Sequence, residues 1–136
     1  MIATHAAVLL YIGLTALLLV ALSVRVSFAR NRYQAPFGAG NDALQRVVRG
    51  QENCAEYAAL FLIALAGLGF AREPDWVIHA LGISFLVGRI IYAWAIAQTS
   101  TPTGFLPGRG LGMLLTWGPL AIAGVMLVLI GVTSVR

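Results

Sequence analysis

The amino-acid sequence predicts an all-α fold, an integral membrane bundle of four helices running up and down. Three observations point there. Of the 136 residues, 60% are hydrophobic and 10% charged, whereas a soluble domain carries roughly a quarter charged residues. Four apolar runs, at about 4–24, 53–71, 76–97 and 111–133, approach the roughly 20 residues that a helix needs to cross the hydrocarbon core. The nine basic residues are all arginine, and Arg25, Arg30, Arg32, Arg46, Arg49 and Arg109 gather in or beside the first and third connections. The runs are continuous rather than alternating, which argues against a membrane barrel. A chain of this length reads as one domain, 1–136.

The first run, "THAAVLLYIGLTALLLVALSV", lacks a basic leader and is longer than the apolar stretch of a signal peptide, so it reads as a retained span. The connection after it, 25–45, contains Pro36, Gly38 and Gly40, and Asn41 or Asp42 suits the cap of a helix starting near Ala43. The second connection, "AREPDW", is tight, with Pro74 suited to a first helical turn and Trp76 to an interfacial anchor. The third, "QTSTPTGFLPGRG", is too polar and too broken to span. Pro119 falls inside the fourth run, where proline is tolerated but expected to bend the helix. Arginine in the first and third connections places them in the cytoplasm and both termini outside it. The high isoelectric point then follows from topology and attraction to membrane lipid, with no nucleic acid required.

The chemistry concentrates in "RVVRGQENCAEY", 46–57. At about 100° per residue, Asn53 and Glu56 fall within about 40° of Arg49 on a helix, a stripe rising about 10 Å. Arg46 and Tyr57 flank it, and Gln51 lies on the opposite face. In the third run Arg89 and Tyr92, three apart, repeat the arrangement. An ionisable group inside a membrane helix is costly unless paired or hydrated, so Glu56 requires a partner, and Arg89 is the intramolecular candidate. Spacing alone leaves two readings open: a site for a small charged ligand, or a buried pair with arginines reaching for headgroups. His5, His79, Trp76, Trp94 and Trp117 read as packing or interface residues. The single cysteine, Cys54, cannot form an internal disulfide, and no metal site is expected.

"RGQENCAEY", 49–57, with "GRIIYAWA" in the third run, resembles the signature of the MAPEG family, the membrane-associated proteins of eicosanoid and glutathione metabolism, in its leukotriene-synthase and microsomal glutathione-transferase branch. The resemblance covers nearly the whole chain. It implies a homotrimer of four-helix bundles binding glutathione, as co-substrate, between subunits near the cytoplasmic face. It implies that Arg49, Asn53, Glu56, Tyr57, Arg89 and Tyr92 hold glutathione, with Gln51 meeting it from a neighbouring chain and Arg30 joining from the first connection. Arg109 is the implied catalytic residue, lowering the thiol pKa so that the thiolate attacks a lipophilic electrophile or reduces a lipid hydroperoxide. A bacterial inner membrane is the expected setting. Two departures touch the thiol end: the connection before Arg109 is long, and Ile96 stands where a tyrosine is expected. The alternatives are a non-catalytic glutathione-binding scaffold and a small four-span transporter. The first run's lack of a charged residue between His5 and Arg25 argues against the transporter.

Overall fold

A computed structural model describes residues 2–38, 41–98 and 105–134. The described chain is all-α: α1 (Ile2–Arg32), α2 (Asp42–Phe70), α3 (Asp75–Ile96) and α4 (Leu106–Ser134). All four helices are long and apolar enough to cross a membrane, and the shortest, of 22 residues, extends about 33 Å at 1.5 Å per residue. This is a multi-pass integral membrane protein.

Two helix ends differ from the apolar runs. α1 continues through Arg25 to Arg32, so the first connection is shorter than 25–45. Hydropathy marks where the chain leaves lipid, and nothing before Pro36 stops the helix. Arg30 and Arg32 occupy its last turn, where they complement the helix dipole. α4 starts at Leu106 rather than near 111, because Pro107 needs no N–H partner in a first turn. Arg109 therefore stands on the first turn of α4 and not in a loop. α2 starts as expected: the Asn41 side chain accepts a hydrogen bond from the Leu44 amide at 2.9 Å.

Contacts set the directions. Val8 meets Gly69 and Tyr11 meets Gly82, while Leu22 packs with Cys54 and Ala93. α1 is thus antiparallel to α2 and parallel to α3. Gly88 lies on Gly112, and Ala95 on Gly108, so α3 and α4 are antiparallel. Among the described residues, α1 and α4 each pack on α2 and α3 but not on each other. The apolar core gathers Tyr11, Phe61, Leu65, Leu68, Ile78 and Phe85, with the Phe61 and Phe85 rings stacked at 4.1 Å.

Glycine sets the closest approach. A Cβ on Gly112 would come within 2.8 Å of the Gly88 carbonyl and of Tyr92, and one on Gly88 within 2.9 Å of the Gly112 carbonyl. The α3 and α4 backbones touch there, directly behind the groove described next. The helix of α4 continues through Pro119, which is buried.

Candidate functional site

The site lies at the end of the bundle that carries the first and third connections. The N-terminal half of α2, the C-terminal half of α3 and the first turns of α4 enclose an open groove of about 560 Å³, lined by Arg49, Asn53, Tyr57, Tyr92, Leu106, Arg109, Gly110, Met113 and Trp117. Small-molecule sites run to roughly 300–1,000 Å³.

The stripe on α2 divides into an outer ion pair and an inner amide. Arg49 Nη1 donates to Glu56 Oε1 at 3.1 Å and lies 3.7 Å from Glu52 Oε2. These side chains are about half exposed. The expected Glu56–Arg89 pair is therefore not formed. Glu56 points outward along the stripe it shares with Arg49, two turns earlier, and the long arginine closes the gap. Arg89 instead points inward from α3 and is only 1% exposed. It donates from Nη1 to Asn53 Oδ1, and from Nη2 to the Gly112 carbonyl at 3.1 Å. One cation thereby ties α2, α3 and α4 together behind the groove.

The aromatic wall is also fixed. The Trp117 indole N–H donates to the Tyr57 hydroxyl oxygen at 3.1 Å. Indole nitrogen is a donor only, so the Tyr57 proton remains available to the groove. Tyr92 is buried and lines the groove from α3. Arg49, Tyr57 and Arg109 therefore offer hydrogen-bond donors from two helices into one space, which suits an anionic, acceptor-rich ligand.

Of the residues singled out from the sequence, Arg49, Asn53, Tyr57, Tyr92 and Arg109 line the groove together. Glu56 joins through Arg49, and Arg89 lies behind Asn53. Arg30 and Gln51 are not among the lining residues. The Arg30 guanidinium donates to the carbonyls of Gly38 at 2.8 Å and Ala35 at 3.4 Å, folding the first connection back on α1. Ile96 is buried and packs toward α2, with its Cγ2 3.5 Å from where a Gly50 Cβ would stand. Sequence reasoning missed Leu106, Met113 and the groove role of Trp117. They fall with Arg109 and Gly110 on one helical face, a spacing that becomes visible once α4 starts at Leu106. Among the described residues, no group of three or more His, Cys, Asp or Glu side chains gathers to hold a metal ion.

Comparisons with known proteins identify the family. The MAPEG family model matches residues 8–129. The chain is 35% identical over 112 residues to the uncharacterized protein sll1147 of Synechocystis sp., covering 79% of this chain and 81% of that one. It is 32% identical over 106 residues to human microsomal glutathione S-transferase 2, covering 74% and 71%. It is 28% identical over 114 residues to the inner membrane protein YecN of Escherichia coli, covering 83% of each. With the family model matched across most of its length and the bundle folded as described, this chain belongs to the MAPEG family.

Proposed function

We propose that the groove binds glutathione and that the protein is a membrane-embedded glutathione transferase or glutathione-dependent peroxidase acting on lipophilic electrophiles or lipid hydroperoxides. The observation that carries this reading is the convergence of Arg49, Asn53, Tyr57, Tyr92 and Arg109 from three helices on one groove. Glutathione is a small peptide with two carboxylates, an ammonium and a thiol. Arg49 and the Tyr57 hydroxyl suit its carboxylates, and Glu56, about half exposed beside Arg49, suits its ammonium. The similarity to human microsomal glutathione S-transferase 2 supports the same ligand.

A free thiol has a pKa of about 8.5, and a nearby cation shifts it toward the thiolate. Arg109, on the first turn of α4 and lining the groove, is the cation we assign to that task. The thiolate sulfur then forms a bond to an electrophilic carbon, displacing a leaving group or adding to an activated double bond that takes up a proton. Alternatively it attacks the terminal oxygen of a hydroperoxide, and the O–O bond breaks to release an alcohol. A second glutathione then reduces the resulting sulfenic acid to the disulfide with loss of water. Leu106 and Trp117 at the edge of the groove, with Leu114 beside them, are exposed along α4, which suits entry of an apolar substrate from lipid while glutathione enters from water.

The protein acts as a homotrimer in this reading. α1 and α4 leave broad apolar faces uncovered, including Leu9, Leu17, Val125 and Val128. A neighbouring chain brings Gln51 toward the groove it does not line within its own chain. The setting is a bacterial inner membrane, with the first and third connections cytoplasmic and both termini outside. The chain reads as one domain.

A second reading, a glutathione-binding protein without transferase activity, is favoured by Ile96, which puts an aliphatic side chain packed toward α2 where the family pattern has a tyrosine. The discriminating experiment is conjugation of glutathione to a lipophilic electrophile by the purified protein. Turnover that is lost in Arg109→Ala supports the enzyme. Glutathione binding without turnover supports the second reading.

A further inference from the structure

We propose that Arg89 is a positioning residue: from beneath the groove it locks Asn53 as a hydrogen-bond donor and holds a positive charge that the ligand's carboxylate balances. The proposal rests on reading the groove as a glutathione site.

The orientation of Asn53 follows from chemistry alone. A guanidinium has donors and no acceptor. The Asn53 atom facing Arg89 Nη1 must therefore be the carbonyl Oδ1, since a flipped amide would set donor against donor. The Asn53 NH2 is left for the groove, which Asn53 lines. A group seated against it has to accept a hydrogen bond, which selects a carboxylate over an ammonium.

The charge is the second consequence. Arg89 is 1% exposed, and its partners are neutral. They are the Asn53 side chain, the carbonyls of Asn53 and Gly112, and the sulfur of Met113 at 3.6 Å. The guanidinium carbon also stands 5.2 Å from the Tyr92 ring centroid, 5.5 Å from Tyr57 and 6.0 Å from Phe85. The carboxylate of Glu56, one turn from Asn53, is engaged by Arg49 instead. Intramembrane ionisable groups persist where they serve a site, and Coulomb attraction is strong in such surroundings. An anion in the groove is stabilised through Asn53 and by the Arg89 charge behind it without touching Arg89.

The test measures glutathione binding by calorimetry, and melting temperature, for the wild type, Asn53→Asp, Arg89→Met, Arg89→Lys and the double variant. Asn53→Asp gives Arg89 its own carboxylate, so it should melt at or above the wild type yet bind glutathione more than about tenfold more weakly. Arg89→Met should lose binding to a similar extent, and Arg89→Lys should recover part of it. Glutathione with both carboxyl groups amidated should bind the wild type weakly and lose much less on Arg89→Met than glutathione does, a result that a merely structural arginine would not produce. Wild-type affinity in Asn53→Asp, or a full Arg89→Met penalty on the amidated ligand, overturns the proposal. Absence of glutathione binding in the wild type defeats the functional reading instead. The melting cycle still decides Arg89: Asn53→Asp should stabilise the chain that keeps Arg89 and destabilise the Arg89→Met chain, and equal effects in both overturn the proposal.

Discussion

Ser84 of α3 donates from Oγ to the carbonyl of Leu115 in α4 at 3.4 Å, and Leu115 is the residue that Pro119 deprives of its intrahelical partner. Proline has no N–H, so the carbonyl four residues before it is orphaned. In lipid, a polar group from a neighbouring helix can satisfy it. α3 supplies a hydroxyl at that height, and α4 continues as helix. Ser84→Ala should lower stability by about 0.5–1.5 kcal/mol. The same substitution in a Pro119→Ala background should be close to neutral, because alanine in place of the proline restores the amide. Equal losses in both backgrounds, measured by denaturation in detergent, would show that the hydroxyl serves something else.

Arg72 sits at φ 64° just after α2. Its amide donates to the Gly69 carbonyl at 3.1 Å, and the Glu73 amide donates to Leu68 at 3.1 Å. This pair of bonds defines a Schellman ending, whose left-handed position favours glycine. Arg72→Gly should therefore stabilise the bundle by up to about 1 kcal/mol. A drop in melting temperature would mean that the arginine side chain contributes more than its backbone strain costs.

Gly112→Ala should harm both stability and binding. Its Cβ would press to within 2.8 Å of the Gly88 carbonyl and of Tyr92, and neither backbone can yield as a flexible side chain would. Overpacking of this kind costs about 1–3 kcal/mol. Because Tyr92 lines the groove and the Gly112 carbonyl receives Arg89, glutathione affinity should fall as well. A stable variant with unchanged affinity would separate the α3–α4 crossing from the site.

Arg109→Ala should separate binding from activation. Glutathione affinity should change little, while the apparent thiol pKa of the bound ligand should rise toward the free value of about 8.5. Ultraviolet thiolate absorbance recorded across a pH titration reads this directly. An unaltered titration would remove Arg109 from the role of thiol activator.

Much of the fold was legible because hydropathy reports on lipid directly. The four helices follow from the apolar runs, and Asn41 announced the start of α2. The helix ends were less legible, since α1 and α4 each run past the lipid border that apolar runs detect. The Arg49–Asn53–Glu56 stripe was readable from helical spacing within one element. The partner of Glu56 was not, because a helical wheel does not say which way Arg89 points on another helix. Met113 and Trp117 were hidden for a related reason. Their face on α4 becomes defined once Pro107 is known to sit inside the first turn. Nothing local to Ser84 marks it as the partner of a carbonyl orphaned on a different helix.

The central claim is that the groove binds glutathione through the Arg49 stripe. The most direct measurement is calorimetric titration of the detergent-purified protein with glutathione, with thiolate absorbance recorded on the same sample, for the wild type, Arg49→Ala and Glu56→Ala. Saturable binding with a thiolate signal at neutral pH is expected in the wild type, weakened more than about tenfold in both variants. No binding in the wild type, or undiminished binding in Arg49→Ala and Glu56→Ala, would contradict it and return the stripe to a structural ion pair.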